Sequence, residues 1–412
     1  FFTLIILITF SLSVFAYQPP EVVIIGPTFY DQDYFIEELN IIADDLGIKI
    51  KYNAVSDPET FIINYPNNSS SIAIIPNPQG VTNLAERNLL YSLNSLVIDD
   101  SLIENVYPKH LIDIVSVDQE IFAGWTRLFP NSLIWYDISK IKKYENIKFE
   151  NFNNLILETK KIADNGESPW CANSESSAST GWIQTNWLED IILTKYGPEI
   201  YDRWSKLEIK ASNVKIYNSM KVVGDFIFYQ NLIQGGDRGI IDKEFRNLPQ
   251  VLLNDENSCF LSWSGHYFRY YIQDDYEYGV DFGVSNFPPI NYKNTIVGIG
   301  DSLVLLKNDS ISKNIISKIL SSDFGEKWAS YENTEYISAN KNFNKANINN
   351  ELTKYEFEVV HKALNDDLFR YDASEIMPRP IGSNLLWKFF REFRGLGPDS
   401  LVKLLNGLDK EF

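Results

Sequence analysis

The chain has 412 residues, 44% of them hydrophobic, which is ample for two core-bearing lobes. Its 37 basic and 55 acidic side chains leave a formal charge of −18, a surface that repels phosphate backbones and anionic lipid heads. Nucleic-acid and membrane-surface binding are therefore both disfavoured, and a soluble monomer is expected.

Phe1 to Phe15 are apolar apart from Thr3, Thr9, Ser11 and Ser13, and Ala16 precedes Tyr17-Gln18-Pro19-Pro20. With Val14 and Ala16 at cleavage spacing, residues 1–16 read as a secretory signal peptide, truncated at its start because the basic opening is missing. The run falls short of the ~20 residues of a spanning helix. A periplasmic protein with no membrane insertion after signal removal is expected. In an exported chain the isolated pair Cys171 and Cys259 reads as a disulfide. His110, His266 and His361 stand at no metal-ligand spacing, so neither metal nor cofactor is expected.

Past the signal, strand and helix patterns alternate. Glu21-Val22-Val23-Ile24-Ile25 is a buried-strand run closed by Gly26-Pro27. Phe35, Leu39, Ile42 and Leu46 form one helix stripe, with Asp33 placed to cap its start and Gly47 its end. Residues 48–52 alternate with period two, and Ile72-Ala73-Ile74-Ile75 is a second buried strand. This order predicts a mostly parallel sheet, whose ligands bind beyond the carboxyl ends of the strands. The loops Pro27–Asp31, Ser56–Glu59 and Asn77–Gly80 are thus candidate site loops, and Phe29, Tyr30 and Gln79 are candidate contacts.

A strand over 132–136 leads out of this first region. Helical stripes follow near 152–164, 185–196 and 214–233, then a return strand at 295–301 and a helix over 312–320. Out, across and back is the connectivity of two lobes. Residues 17–129 with 300–339 make an N-terminal lobe, and 130–299 with 340–412 a C-terminal lobe. Each is an α/β unit, a sheet flanked by helices. Flexing is expected near Leu128–Ser132, Val297–Asp301 and Ala339–Phe343.

Three ordered stretches resemble the extracellular solute-binding proteins of ABC importers, in their α-glucoside-binding branch. The first is Pro169-Trp170-Cys171 with Glu175-Ser176, Thr180-Gly181-Trp182 and Trp187-Leu188-Glu189-Asp190. The second is Phe369-Arg370-Tyr371-Asp372-Ala373-Ser374-Glu375-Ile376-Met377-Pro378, and the third Ser132-Leu133-Ile134-Trp135-Tyr136. The resemblance implies a two-lobed periplasmic binding protein fold of the maltose-binding type (type II) that closes around a sugar and docks on membrane permease subunits. It also implies a stacking role for Trp387, nine residues after Pro378, with Arg391 on the same helical face. Arg127 is the basic residue that precedes the hinge strand in the family. One departure bears on ligand identity: the family's CWxHRQGNF reads Cys259-Phe260-Leu261-Ser262-Trp263-Ser264-Gly265-His266-Tyr267 here.

A pyranose presents apolar C–H faces and a rim of hydroxyls, so aromatic rings and directed charged groups suit it. Trp125, Trp182, Trp263 and Trp387 with Arg127, Glu175, His266, Asp301 and Asp372 supply both kinds. Trp170 and Trp135 are expected in the core. The ligand expected is an α-glucoside or small oligosaccharide; a polyol, a glucosylated osmolyte or an anionic sugar is the alternative. A glycoside hydrolase is the distant alternative. It needs two carboxylates facing each other across a cleft, whereas Asp44-Asp45, Glu189-Asp190, Asp274-Asp275 and Asp366-Asp367 are adjacent pairs expected on solvated faces. A binding protein is expected, not an enzyme.

Overall fold

A computed structural model describes residues 19–172, 181–236, 240, 244–254 and 259–411. The first sheet is built on Glu21–Gly26, which pairs in parallel with Lys49–Ala54 on one side and Ile72–Ile75 on the other. The helix Gln32–Leu46 buries Phe35, Leu39 and Ile42 as its stripe requires, and ends at Gly47 in the left-handed region. Its N-cap position is Asp31 rather than Asp33, and the Asp31 carboxylate bonds no helix N–H. That carboxylate is engaged by the Trp328 indole instead.

The ten-residue return strand Ile296–Leu305 completes the sheet and makes it mixed. One edge carries Ala123–Pro130, antiparallel along most of its length. The opposite edge carries Phe369–Tyr371 in parallel at its start and Ile72–Ile75 antiparallel at its end. The expected mostly parallel sheet therefore holds for Glu21–Gly26 and its neighbours but not around the return strand.

The second lobe carries a three-stranded antiparallel sheet, with Leu133–Asp137 between Leu261–Trp263 and Phe282–Asn286. Period-two alternation divides its side chains between two cores. Ile134, Leu261 and Trp263 face a large core filled by the helices Phe152–Asp164, Trp182–Tyr196, Val214–Phe228 and Trp387–Leu396. Leu133 and Trp135 face a smaller cluster that contains Cys171 and Cys259. Those two cysteines form the expected disulfide. Trp170 and Trp135 are fully buried, in keeping with their core reading.

Residues 340–371, assigned from the sequence to the C-terminal lobe, pack in the first core. Phe343, Ile348, Phe357, Val360 and Leu364 join it, and Phe369–Tyr371 is a strand of its sheet. The helix Glu351–Asn365 packs Phe357, Val359, Val360, Ala363 and Leu364 into that core, while its first turn sends Leu352 into the cysteine cluster. The third crossing between cores therefore falls at Tyr371–Ala373, not at Ala339–Phe343. The first falls at Phe129–Leu133, and the second at the start of the return strand, where Ile296 packs in the first core and Val297 in the second.

Candidate functional site

The three crossings border a cleft of about 790 Å³ with walls from both lobes, within the ~300–1,000 Å³ usual for small-molecule sites. Strand-end loops contribute Thr28, Phe29, Pro76 and Asn77, as the sheet topology predicts. The crossings contribute Arg127, Phe129, Asn131, Gly300, Asp301, Tyr371 and Asp372. From the second lobe come Trp182, Asn186, the turn His266–Tyr271, and the segment Ser374–Trp387.

Local geometry explains these placements. A register shift between Asp301 and Ser302 interrupts the return strand, the kind of bulge that re-aims a side chain. Asp301 then accepts from Arg127, with Nε–Oδ2 at 3.0 Å. Trp387 follows a π-helical turn over Pro380–Leu386, a distortion frequent at functional sites. Its backbone carbonyl lies so close to Gly181 that a Cβ there would sit 2.1 Å from the oxygen, and Gly181 has φ +136°. Glycine lets the helix Trp182–Tyr196 start against Trp387.

Arg127 is buried at the back of the cleft among three buried carboxylates. Besides Asp301, Asp31 is 3.5 Å and Glu335 3.8 Å from its Nη1. Its guanidinium lies 4.4 Å from the Phe29 ring centre. Burial pushes the Asp31 carboxyl up to about 6, with Arg127 opposing. Burial also acts to raise Glu335, but hydrogen bonding and charge from His266, aided by Arg127, bring it below its ordinary value.

A second group of carboxyls lies under the third crossing. Glu189 and Asp190, expected on a solvated face, are buried. Glu189 accepts from the backbone N–H of Ala373 at 3.1 Å and of Ser374 at 3.2 Å. Asp190 accepts from the Ser132 hydroxyl and, at 2.7 Å, from Trp263 Nε1. The pair thus fastens the crossing strands to the second lobe. Burial raises all the carboxyls here: Asp190 to about 8, Glu189 well above its ordinary range with Asp372 adding to the rise, and Asp372 itself. Glu375 rises to about 7 through burial and the neighbouring Asp372. Asp372 also caps the short helix Ala373–Ile376 by accepting from Ser374 N at 2.9 Å.

Of the residues expected at the site, Phe29, Arg127, Trp182, His266, Asp301, Asp372 and Trp387 line the cleft together. The others do not. Trp125 is a core residue whose Nε1 donates to the Leu111 carbonyl at 2.9 Å. Trp263 stacks on Phe287 and Trp187 in the second core, because its strand position points there. Tyr30 is 71% exposed with its ring 5.8 Å from Tyr270, and Gln79 sits on the first turn of the helix Pro78–Glu86. Arg391 is exposed, and Glu175 lies outside the described residues.

Sequence reasoning missed Phe129, Asn131, Asn186, Tyr267, Tyr270, Tyr271, Tyr371, Glu375 and Arg379. Two signals pointed there. The run His266-Tyr267-Phe268-Arg269-Tyr270-Tyr271 begins inside the motif that departs from the family. Tyr371 stands in the second family-like stretch, and its hydroxyl lies 2.7 Å from the Pro76 carbonyl and 2.8 Å from the Gly300 carbonyl. Among the described residues, no group of three or more His, Cys, Asp or Glu side chains is arranged to hold a metal ion. No described helix is long and apolar enough to cross a membrane.

Two lobes, three crossings and a cleft between them define the two-lobed fold of the maltose-binding type. Solved structures agree on the fold. The bacterial solute receptor AcbH, described as having an exclusive preference for β-D-galactopyranose, superposes with a TM-score of 0.76 at 12% identity, covering 96% of this chain and 97% of that one. RafE from Streptococcus pneumoniae in its apo form gives 0.71 at 12% identity, over 96% and 97%. No protein-family model matches. The osmoprotective compounds-binding protein GgtB of Synechocystis sp. is 25% identical over 402 residues, 95% of this chain and 92% of that protein. The α-glucosides-binding periplasmic protein AglE of Rhizobium meliloti is 25% identical over 376 residues, 88% and 79%. The chain is thus similar over most of its length to two solute-binding proteins and shares the fold of solved sugar-binding receptors.

Proposed function

We propose that the cleft captures a neutral α-glucoside or small oligosaccharide, which two-lobe closure delivers from the periplasm to membrane permease subunits. One observation carries the reading. Among the described residues, Asn131 Oδ1 and Trp387 Nε1 of the cleft lining are buried with no hydrogen-bond partner, while Arg127 Nη1 and His266 Nε2 face carboxylates only at 3.5–3.8 Å. Leaving such groups unpaired costs ~1–3 kcal/mol each, and the hydroxyl rim of a sugar can both donate and accept. Trp182, Phe129, Tyr267 and Trp387 supply rings for its C–H faces.

Charge favours a neutral ligand over an anionic one. Arg127 is shared among Asp31, Asp301 and Glu335, and His266 between Glu335 and Glu356. Arg379, at the rim, lies 3.5 Å from Glu59. A ligand bound to both lobes favours closure by its differential affinity for the closed state. Binding without turnover is supported by the relatives, which are named as binding proteins. An osmoprotective compound is the second reading, supported by the near full-length similarity to GgtB.

Calorimetry with maltose, trehalose, sucrose, glucosylglycerol and glucuronate tests both. Saturable heat from a neutral glucoside, with no glucose released, is the expected result. Binding of glucuronate alone sinks the neutral-ligand reading, and released glucose sinks the claim that the protein is not an enzyme.

A further inference from the structure

The turn His266–Tyr271 gives the cleft four side chains: His266, Tyr267, Tyr270 and Tyr271. It follows a strand of the second lobe, yet its ionic anchors stand on segments of the first core. Glu356, on the helix Glu351–Asn365, is fully buried. Its Oε2 is 2.9 Å from His266 Nδ1 and accepts from Arg269 Nη1 at 2.9 Å. The same Arg269 nitrogen donates to Thr353 Oγ1 at 3.0 Å, and Arg269 Nη2 donates to the Thr334 carbonyl at 3.3 Å. On the far side of the imidazole, Nε2 is 3.6 Å from Glu335, and Phe129 stacks on the ring at 4.5 Å.

We propose that Glu356 is a positioning residue for ligand binding: by holding His266 Nδ1 and Arg269 it fixes the tyrosine-rich cleft wall and keeps His266 Nε2 a hydrogen-bond donor. Four charged groups bear on the imidazole. Glu356 faces it from the helix, Glu335 from the segment after the helix Glu326–Ala329, and Arg269 from its own turn. Arg127 acts from the strand Ala123–Pro130 through Glu335. Tyr270 sits edge-on at 5.5 Å. Burial works against the charged ring, but the two carboxylates outweigh it and raise His266 above 6.5. With Nδ1–H committed to Glu356, the protonation of Nε2 decides whether the second nitrogen donates or accepts. A sugar oxygen that accepts from Nε2–H is held below the raised pKa and released as pH rises through it.

The inference rests on the cleft being the ligand site, and its test separates the two claims. The ring titration of His266 is followed by NMR in ligand-free wild type, E356Q and R269Q, and maltose affinity is measured by calorimetry across the same pH range. E356Q keeps the shape and an acceptor but loses the charge, so the His266 midpoint moves acidic by about one pH unit or more. Maltose affinity at neutral pH falls about tenfold, and its pH midpoint follows the ring. R269Q removes a cation that opposes the imidazolium and moves the midpoint the other way. A merely structural anchor lowers affinity equally at every pH. An unshifted His266 midpoint in E356Q, or a parallel affinity profile, overturns the proposal. If E356Q does not fold, R269Q decides it by the sign of its shift. Where another neutral glucoside binds in place of maltose it serves as the probe; if none binds, the sugar reading falls while the ring titrations still judge Glu356.

Discussion

Arg127→Met removes the cation shared by Asp31, Asp301 and Glu335 while keeping an apolar stem against Phe29. All four groups are buried, at 5%, 6%, 8% and 2% exposure for Arg127, Asp31, Asp301 and Glu335. Breaking a buried ion pair from one side costs ~3–5 kcal/mol, because the remaining charge is left uncompensated. Protonation relieves part of this, and that fixes the pH dependence. In the wild type the Asp31 carboxyl rises from 3.8 to about 6 on folding. A carboxyl raised by folding contributes stability that is complete below its unfolded pKa and lost as pH rises through its folded one. The wild-type loss therefore falls between those two values. Without the guanidinium the Asp31 folded pKa climbs further, so the loss extends to higher pH. Glu335, lowered in the wild type, loses one of its lowering influences and reinforces the trend. The variant's deficit is smallest in acid and largest above neutrality. At roughly 2–4 °C per kcal/mol for a lobe-sized unit, melting falls by about 6–20 °C at neutral pH. Thermal unfolding followed by circular dichroism at acidic and slightly alkaline pH measures it. A deficit under about 1 kcal/mol, or one that does not change with pH, refutes the reasoning.

Other outcomes follow from the same geometry. Trp387→Ala deletes a cleft wall and its Nε1 donor and weakens glucoside binding by about tenfold or more; calorimetry showing an unchanged Kd removes Trp387 from the site. Replacing Cys171 and Cys259 by serine opens a link across 88 residues and lowers stability by about 2–5 kcal/mol, read as the loss of any effect of reductant on melting. Gly181→Ala puts a methyl into the Trp387 carbonyl at a φ that disfavours a side chain, so melting temperature and ligand affinity drop together. Normal values for both would show that the helix start can shift freely.

Local periodicity made the first lobe's early elements legible. The stripe Phe35, Leu39, Ile42 and the buried runs at 21–25 and 72–75 appear where their patterns place them. What stayed hidden depends on partners distant in sequence. The helix Glu351–Asn365 takes its place from the core that covers it, which residues 340–371 do not reveal by themselves. Tryptophan type alone does not separate wall from core. Trp182 and Trp387 line the cleft, while Trp263, at the end of a short strand, turns inward by alternation. The adjacent acids Glu189 and Asp190 look solvated in one dimension. They are buried because N–H and O–H donors of Ala373, Ser374, Ser132 and Trp263 converge on them, and burial favours their neutral forms.

The mixed sheet has a consequence for how the chain reaches its fold. Ser302 donates to the Ile75 carbonyl across 227 residues of sequence, and Phe369–Tyr371 completes the same sheet later still. Until those late strands arrive, Ile72–Ile75 has one unpaired edge and the first core lacks its cover. Such distant pairings are slow to form and leave strand edges open to association. Refolding rate and aggregation yield should therefore respond more sharply to changes in residues 296–305 than to equal changes in the second lobe's helices.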